Sequence, residues 1–197
     1  MRPDIKSSDL RQALNLSAPD AARRLLGCEL RRTLEDGTVL RGRIVETEAY
    51  DQQDPASHTF RGQTPRNSVM YGPAGILYVY LIYGMYYCCN VVTGSDGHGE
   101  AVLIRAVEPL EGEDVMQTHR RGASGKNVTN GPGKVCLAFD ITKQLNSHDL
   151  SQAPLELILQ PEVTDGVVQT TRIGLSSSDV TPWRFYLKGN PYVSKVA

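Results

Sequence analysis

Cysteine is scarce in this 197-residue chain: only Cys28, Cys88, Cys89 and Cys136 occur. None forms a C-x-x-C pair or stands at zinc-finger spacing from a histidine, which argues against a disulfide framework and a structural metal. Free thiols in a reducing compartment are expected, with the adjacent Cys88 and Cys89 pointing to opposite faces of a strand. Long apolar runs are also missing. The longest, around residues 75–92, is cut by Gly84 and dotted with tyrosine, so no membrane span is expected. The opening Met1-Arg2-Pro3-Asp4-Ile5-Lys6 lacks the apolar core of a signal peptide. A soluble cytoplasmic protein is therefore expected. A strong charge of one sign is missing too: the formal net charge is -1, so any nucleic-acid surface must come from local clustering of basic groups.

What is present is an ordinary globular composition, with 40 % hydrophobic and 22 % charged residues, long enough for one full core. One domain over residues 1–197 is expected, without repeats, linkers or low-complexity segments. Ser17-Ala18-Pro19-Asp20 followed by an Ala/Arg/Leu run and Gly27 predicts a capped helix ending near Leu26. From Cys28 the pattern changes to strand, and Asp36-Gly37 predicts a turn before a second strand over Thr38 to Tyr50. Period two puts Glu46 and Glu48 on one face of that strand. Residues 51–70 form a long polar loop, of the kind that usually carries function. Ile76 to Val92 reads as two strands joined at Tyr83-Gly84-Met85, and Ala101 to Val107 as the next strand of a meander. Glu111 to His119 reads as a helix, residues 120–131 as a flexible basic loop, and Lys134 to Phe139 as a helix with an Asn130 cap and free amides in its first turn. The C-terminal third reads as further strands, ending at Arg184 to Lys188. The pattern alone supports a mixed α+β fold with several hairpins.

Glu46-Thr47-Glu48-Ala49-Tyr50 closes a strand and opens into the polar loop, a position that suits a general base and also, more plainly, a solvated carboxylate. Tyr71, Tyr78, Tyr80, Tyr83, Tyr86 and Tyr87 crowd within seventeen residues. They read either as aromatics packed on a sheet or as a platform on which an unstacked base can lie. Tyr83 stands apart: beside Gly84 at a hairpin tip, its ring would project and could wedge into a duplex. His58, in the loop, could stack or donate a hydrogen bond.

The stretches Arg41-Gly-Arg-Ile-Val-Glu-Thr-Glu-Ala-Tyr50, Gln63-Thr-Pro-Arg-Asn67, Leu77-Tyr-Val-Tyr-Leu-Ile-Tyr-Gly-Met-Tyr86, Arg105-Ala-Val-Glu-Pro-Leu-Glu-Gly112, Asn130-Gly-Pro-Gly-Lys134 and Arg184-Phe-Tyr-Leu-Lys-Gly189 resemble the alkyladenine (3-methyladenine) DNA glycosylase family. The likeness runs from about residue 17 to the C-terminus. It implies a single α+β domain with a curved, mainly antiparallel sheet, peripheral helices and a protruding hairpin. It also implies a monofunctional enzyme that flips an alkylated or deaminated purine (3-methyladenine, 7-methylguanine, hypoxanthine, ethenoadenine) out of duplex DNA and hydrolyses its N-glycosidic bond.

Residue by residue, the resemblance makes Glu48 the group that activates water, with Glu46 in support and Arg105 holding water and carboxylate. Tyr50, His58 and Tyr80 become the base sandwich, Tyr83 the wedge, and Asn90 a pocket-floor group that rejects normal guanine. Arg66, Lys134, Arg184 and Lys188 are expected at DNA phosphates. No lysine stands where it could attack the sugar, so no lyase step is expected, and no metal or organic cofactor is required. The expected partner is double-stranded DNA containing a damaged purine, bound by a monomer without membrane contact. Two rivals stay open on the sequence: a binding module that stacks bases without cleavage, and a hydrolase of free nucleosides.

Overall fold

The computed structural model describes residues 7–175 and 180–195. The opening Met1 to Lys6, read above for signal-peptide features, lie outside the described residues. Helix α2 spans Ala18–Arg24, and the Ser17 side chain accepts a hydrogen bond from the Asp20 amide at its start, as the Ser-x-Pro-Asp pattern requires. An earlier helix, α1 (Ser7–Leu14), was not expected; it buries only Leu10 and Leu14, one turn apart, too short a stripe to stand out as a period.

Eight strands follow: β1 (Glu29–Thr33), β2 (Val39–Tyr50), β3 (Leu77–Ile82), β4 (Tyr86–Val92), β5 (Ala101–Glu111), β6 (Leu155–Ile158), β7 (Val167–Thr170) and β8 (Arg184–Leu187). Helix α3 (Glu113–His119) begins two residues later than the sequence suggests, because β5 continues past Val107 to Glu111. Helix α4 spans Pro132–Ala138. Gly131, not Asn130, occupies its cap position and makes no side-chain cap bond. Asn130 instead accepts from the Lys134 ammonium at 2.6 Å.

Every strand pair is antiparallel, in the order β3-β4-β5-β2-β1-β6, with β8 joining β2 to β7. The sheet curls into a half-barrel, so the α+β class with a curved antiparallel sheet holds. The same side of β2 pairs with β1 through Val39 to Arg43 and with β8 through Glu46 to Glu48. Register shifts against β5 at Arg41/Gly42 and around Glu46 let the strand bend between the two partners. Thr47 faces α2, donating to the Ala22 carbonyl at 2.8 Å.

The main core lies between the sheet and helices α1, α2 and α4, with Leu25, Ile44, Val79, Ile104, Val135 and Phe139 buried in it. Alternation on the β3–β4 hairpin divides two environments. Val79, Cys89 and Val91 enter the main core, whereas Tyr78, Tyr80, Cys88 and Asn90 face a cavity on the other side. All four cysteines are buried and free, and Cys88 and Cys89 face opposite ways. Among the described residues no helix is long and apolar enough to cross a membrane.

Gly42 is the tightest backbone approach in the curl. A Cβ there would collide with Val107 Cγ1 and lie 2.9 Å from Phe139 Cζ and 3.1 Å from the Glu108 carbonyl oxygen. Gly42→Ala is expected to lower stability by about 1–3 kcal/mol through overpacking, measurable as a shifted urea midpoint at unchanged slope.

Candidate active site

The bent end of β2 carries two fully buried carboxylates, Glu46 and Glu48. Glu48 reaches a cavity of about 550 Å³. Its Oε1 accepts from the Ile173 amide at 2.8 Å; its Oε2 accepts from the Tyr50 hydroxyl at 2.9 Å and from Arg105 Nη1 at 3.3 Å. An ionised carboxylate has about four acceptor positions, so three donors fix the group and leave room for one more.

Glu46 does not line the cavity. Its oxygens accept from Arg184 Nε at 2.6 Å and from the Ser194 amide and hydroxyl at 2.7 and 3.0 Å, and Arg105 Nε lies 3.4 Å away. Arg105 thus bridges both glutamates and presents Nη1 to Glu48. The expectation that period two puts the pair on one face is met at this shared arginine.

The cavity walls are aromatic. Tyr78 and Tyr80 stack with centroids 5.6 Å apart. The His58 ring meets Tyr80 edge-on at 4.5 Å, and His58 Nδ1 lies 3.0 Å from the Tyr78 hydroxyl. Burial, then the positive Arg66 nearby, push the His58 imidazole below its ordinary value, which favours an uncharged ring. Burial, then the charge of Glu48 beside it, push the Tyr50 phenol far up, so it remains a neutral donor. The Cys88 thiol, below Tyr80, is pushed up by burial to about 11. Asn90 is 4 % exposed, lines the cavity and donates to the Tyr78 carbonyl at 3.3 Å. At the rim, Tyr83 is 84 % exposed. Its backbone and that of Gly84 are left-handed (φ 53° and 67°), the reversal that turns the hairpin and throws the ring outward.

The site therefore joins a fixed carboxylate, aromatic walls and a projecting ring. The sequence profile of methylpurine-DNA glycosylase (MPG) matches residues 12–191. The chain belongs to the methylpurine-DNA glycosylase family. It is 50 % identical over 176 residues to a protein of Carboxydothermus hydrogenoformans, covering 88 % of this chain and 92 % of that one. It is 50 % identical over 181 residues to one of Methanoculleus marisnigri, with the same coverage. A third, from Francisella tularensis, is 42 % identical over 194 residues, covering 95 % and 99 %. Each is provisionally named a 3-methyladenine DNA glycosylase. Membership of the methylpurine-DNA glycosylase family supports glycosylase activity and makes DNA the substrate class.

Of the expected site residues, Glu48, Tyr50, His58, Tyr80, Asn90, Arg105 and the hairpin-tip Tyr83 all line the same cavity. Arg66 lines it too, from the exposed loop. Lys188 is exposed on the surface, and Lys134 is half-buried and tied to Asn130. Arg184 requires correction. It is 2 % exposed, held by Glu46 and the Lys195 carbonyl and covered by the Tyr186 ring, so its guanidinium is an internal partner of the carboxylates and not a phosphate contact. In the basic loop, Arg120 is likewise engaged, donating to the Val128 and Asn127 carbonyls.

Sequence reasoning missed Ile173, whose amide holds Glu48, and Arg172 beside it; only their place in the fold gives them meaning. It also missed Asp51, His98 and Glu100, whose ligand-type atoms lie within 4.8 Å of one another outside the cavity. There His98 Nε2 pairs with Asp51 at 2.6 Å and Glu100 accepts from the Ala18 amide.

Glu46→Gln removes the charge that balances the buried Arg184 and the part-buried Arg105. A loss of about 3 kcal/mol in folding stability is expected, read by chemical denaturation; a change under about 0.5 kcal/mol, the level of an ordinary surface substitution, would show that Glu46 is not the anchor.

Proposed function

We propose that this protein is a monofunctional glycosylase of base excision repair that excises alkylated or deaminated purines from duplex DNA. The observation that carries the reading is the buried Glu48 carboxylate, fixed by three donors at the bottom of a cavity walled by Tyr50, His58, Tyr78 and Tyr80. In a double helix the N-glycosidic bond is out of reach of such a carboxylate, so the nucleotide has to rotate out of the stack. Tyr83 fills the gap left behind. The extruded purine stacks between Tyr50 and the His58–Tyr80 pair, and Asn90 on the floor opposes the exocyclic amino group of normal guanine.

Departure of the purine builds positive charge on the sugar. Glu48 faces that charge and accepts a proton from a water on its free acceptor position. The water oxygen bonds to C1′, the C1′–N bond breaks, and its electron pair leaves with the base. An abasic site remains, and with no lysine attacking the sugar the strand stays intact. Arg105, itself neutralised by Glu46, keeps the carboxylate oriented. A surface of exposed Leu81, Tyr83, Met85 and Tyr86 at the hairpin tip favours duplex DNA over free nucleosides, because a nucleoside has no stack to enter. Arg66, Lys134 and Lys188 stand as the phosphate contacts. The enzyme acts as a cytoplasmic monomer.

Glu48→Gln should reduce release of hypoxanthine from a duplex by at least about 100-fold while duplex binding is retained. Single-turnover assays with alkali cleavage of the product, beside a gel-shift titration, test this; near-normal turnover would remove Glu48 from the mechanism. Tyr83→Ala keeps the Cβ at this left-handed position, so it should leave the fold intact and weaken extrusion. Fluorescence of 2-aminopurine next to the lesion reads that step, and an unchanged signal would deny Tyr83 the wedge role.

A further inference from the structure

Arg172 is the most enclosed cation near the cavity, with a side chain that is 0 % exposed, and it does not line the cavity. Its guanidinium lies 4.8 Å from the centroid of the Tyr50 ring and 5.5 Å from that of Trp183. Nη1 donates to the Ala49 carbonyl at 2.9 Å and to Asp54, and Nη2 donates to Asp54 Oδ1 at 3.1 Å. Asp54 in turn accepts from the Ala56 amide at 3.0 Å, and Ala56 lines the cavity. A planar cation is thus clamped on one face of the ring that forms a wall of the base pocket, and a fork to Asp54 holds it there.

A tyrosine ring attracts a cation through the electron density of its faces. A guanidinium already seated on one face draws that density toward itself and repels a second cation on the other side. The same charge is felt by the phenol, whose upward shift from burial and Glu48 is opposed by Arg172. Lesion purines fall into two electrostatic classes: 7-methylguanine is cationic, whereas hypoxanthine is neutral.

We propose that Arg172, acting through Tyr50, is a specificity-determining positioning residue that shifts the pocket away from cationic purines and toward neutral ones. This rests on the glycosylase reading given above. Asp54 moderates the effect, because its carboxylate offsets the guanidinium. The two residues therefore act in opposite senses on selectivity, although each loosens the same clamp.

The test compares single-turnover release of 7-methylguanine and of hypoxanthine from the same duplex sequence, after subtraction of uncatalysed loss. In Asp54→Asn/Arg172→Gln, which removes both charges together, the ratio of 7-methylguanine to hypoxanthine release should rise about threefold or more. In Asp54→Asn, which removes one negative charge from beside the cation, the ratio should fall. Arg172→Lys keeps the charge and should stay close to the wild-type ratio. A purely structural clamp would slow both substrates in every variant without moving the ratio in opposite directions. Thermal unfolding selects the folded variants, and the ratio in any one of the three decides: an unchanged ratio in a charge-removing variant, or a shifted one in Arg172→Lys, overturns the proposal. Wild-type protein that releases neither base refutes the glycosylase reading itself; wild-type release of both bases, with variant ratios other than those expected, refutes only the role of Arg172.

Discussion

Two carboxylates, Glu46 and Glu48, sit two residues apart on one strand and are wholly withdrawn from solvent. Charges so placed are strongly unfavourable unless cations and hydrogen-bond donors come with them. Arg105 touches both, Arg184 secures Glu46, and the Ile173 and Ser194 amides with the Tyr50 and Ser194 hydroxyls supply further donors. Much of the local architecture follows. The strand bends so that β8 can bring Arg184 alongside, and the last described residues fold back so that Ser194 can close over Glu46. One carboxylate is spent on holding the arginine that orients the other, which leaves Glu48 with a single direction open, toward the cavity.

Around this rigid centre the hairpin divides into two mechanical zones. Its base is anchored on both faces: Val79 and Cys89 in the main core, and Tyr78 in a smaller cluster with Met70, Val92 and Ala101. Its tip has no such support, and Leu81, Tyr83, Met85 and Tyr86 all emerge there. The base keeps the cavity lining in register with Glu48, while the tip stands clear of both clusters. The shift of His58 toward the uncharged form leaves a neutral ring at the cavity wall.

The strands around the site were legible in the sequence because their signals are local: an Asp-Gly turn, alternation, and a Gly at the hairpin tip. Period two was enough to pair Glu46 with Glu48, and to separate Cys88 from Cys89. What local pattern could not show was which face of a strand would be covered from outside. Arg184 opens a short basic, aromatic segment that reads as surface, yet β8 is flanked by both β2 and β7 and its arginine turns inward. Arg172 stands in an unremarkable Thr-Thr-Arg-Ile-Gly run, and two of its partners, Tyr50 and Asp54, lie far upstream in the chain. Helix α4 shows the opposite failure: Asn130 is a good cap by type, but the neighbouring Lys134 takes its oxygen first.

The order of the parts along the chain has a consequence for biosynthesis. Glu46 and Glu48 are made early, whereas the groups that neutralise and orient them lie far downstream: Ile173 is 125 residues from Glu48, and Arg184 and Ser194 are 138 and 148 residues from Glu46. A nascent chain emerging from the ribosome can form the β1–β2 hairpin, but it cannot bury that pair until residues near 194 have left the exit tunnel. Chain closure over so long a span is slow. A chain terminated a dozen residues short would still carry Arg105, Ile173 and Arg184 for the two acids, but it would lack Ser194, whose amide and hydroxyl both bond Glu46.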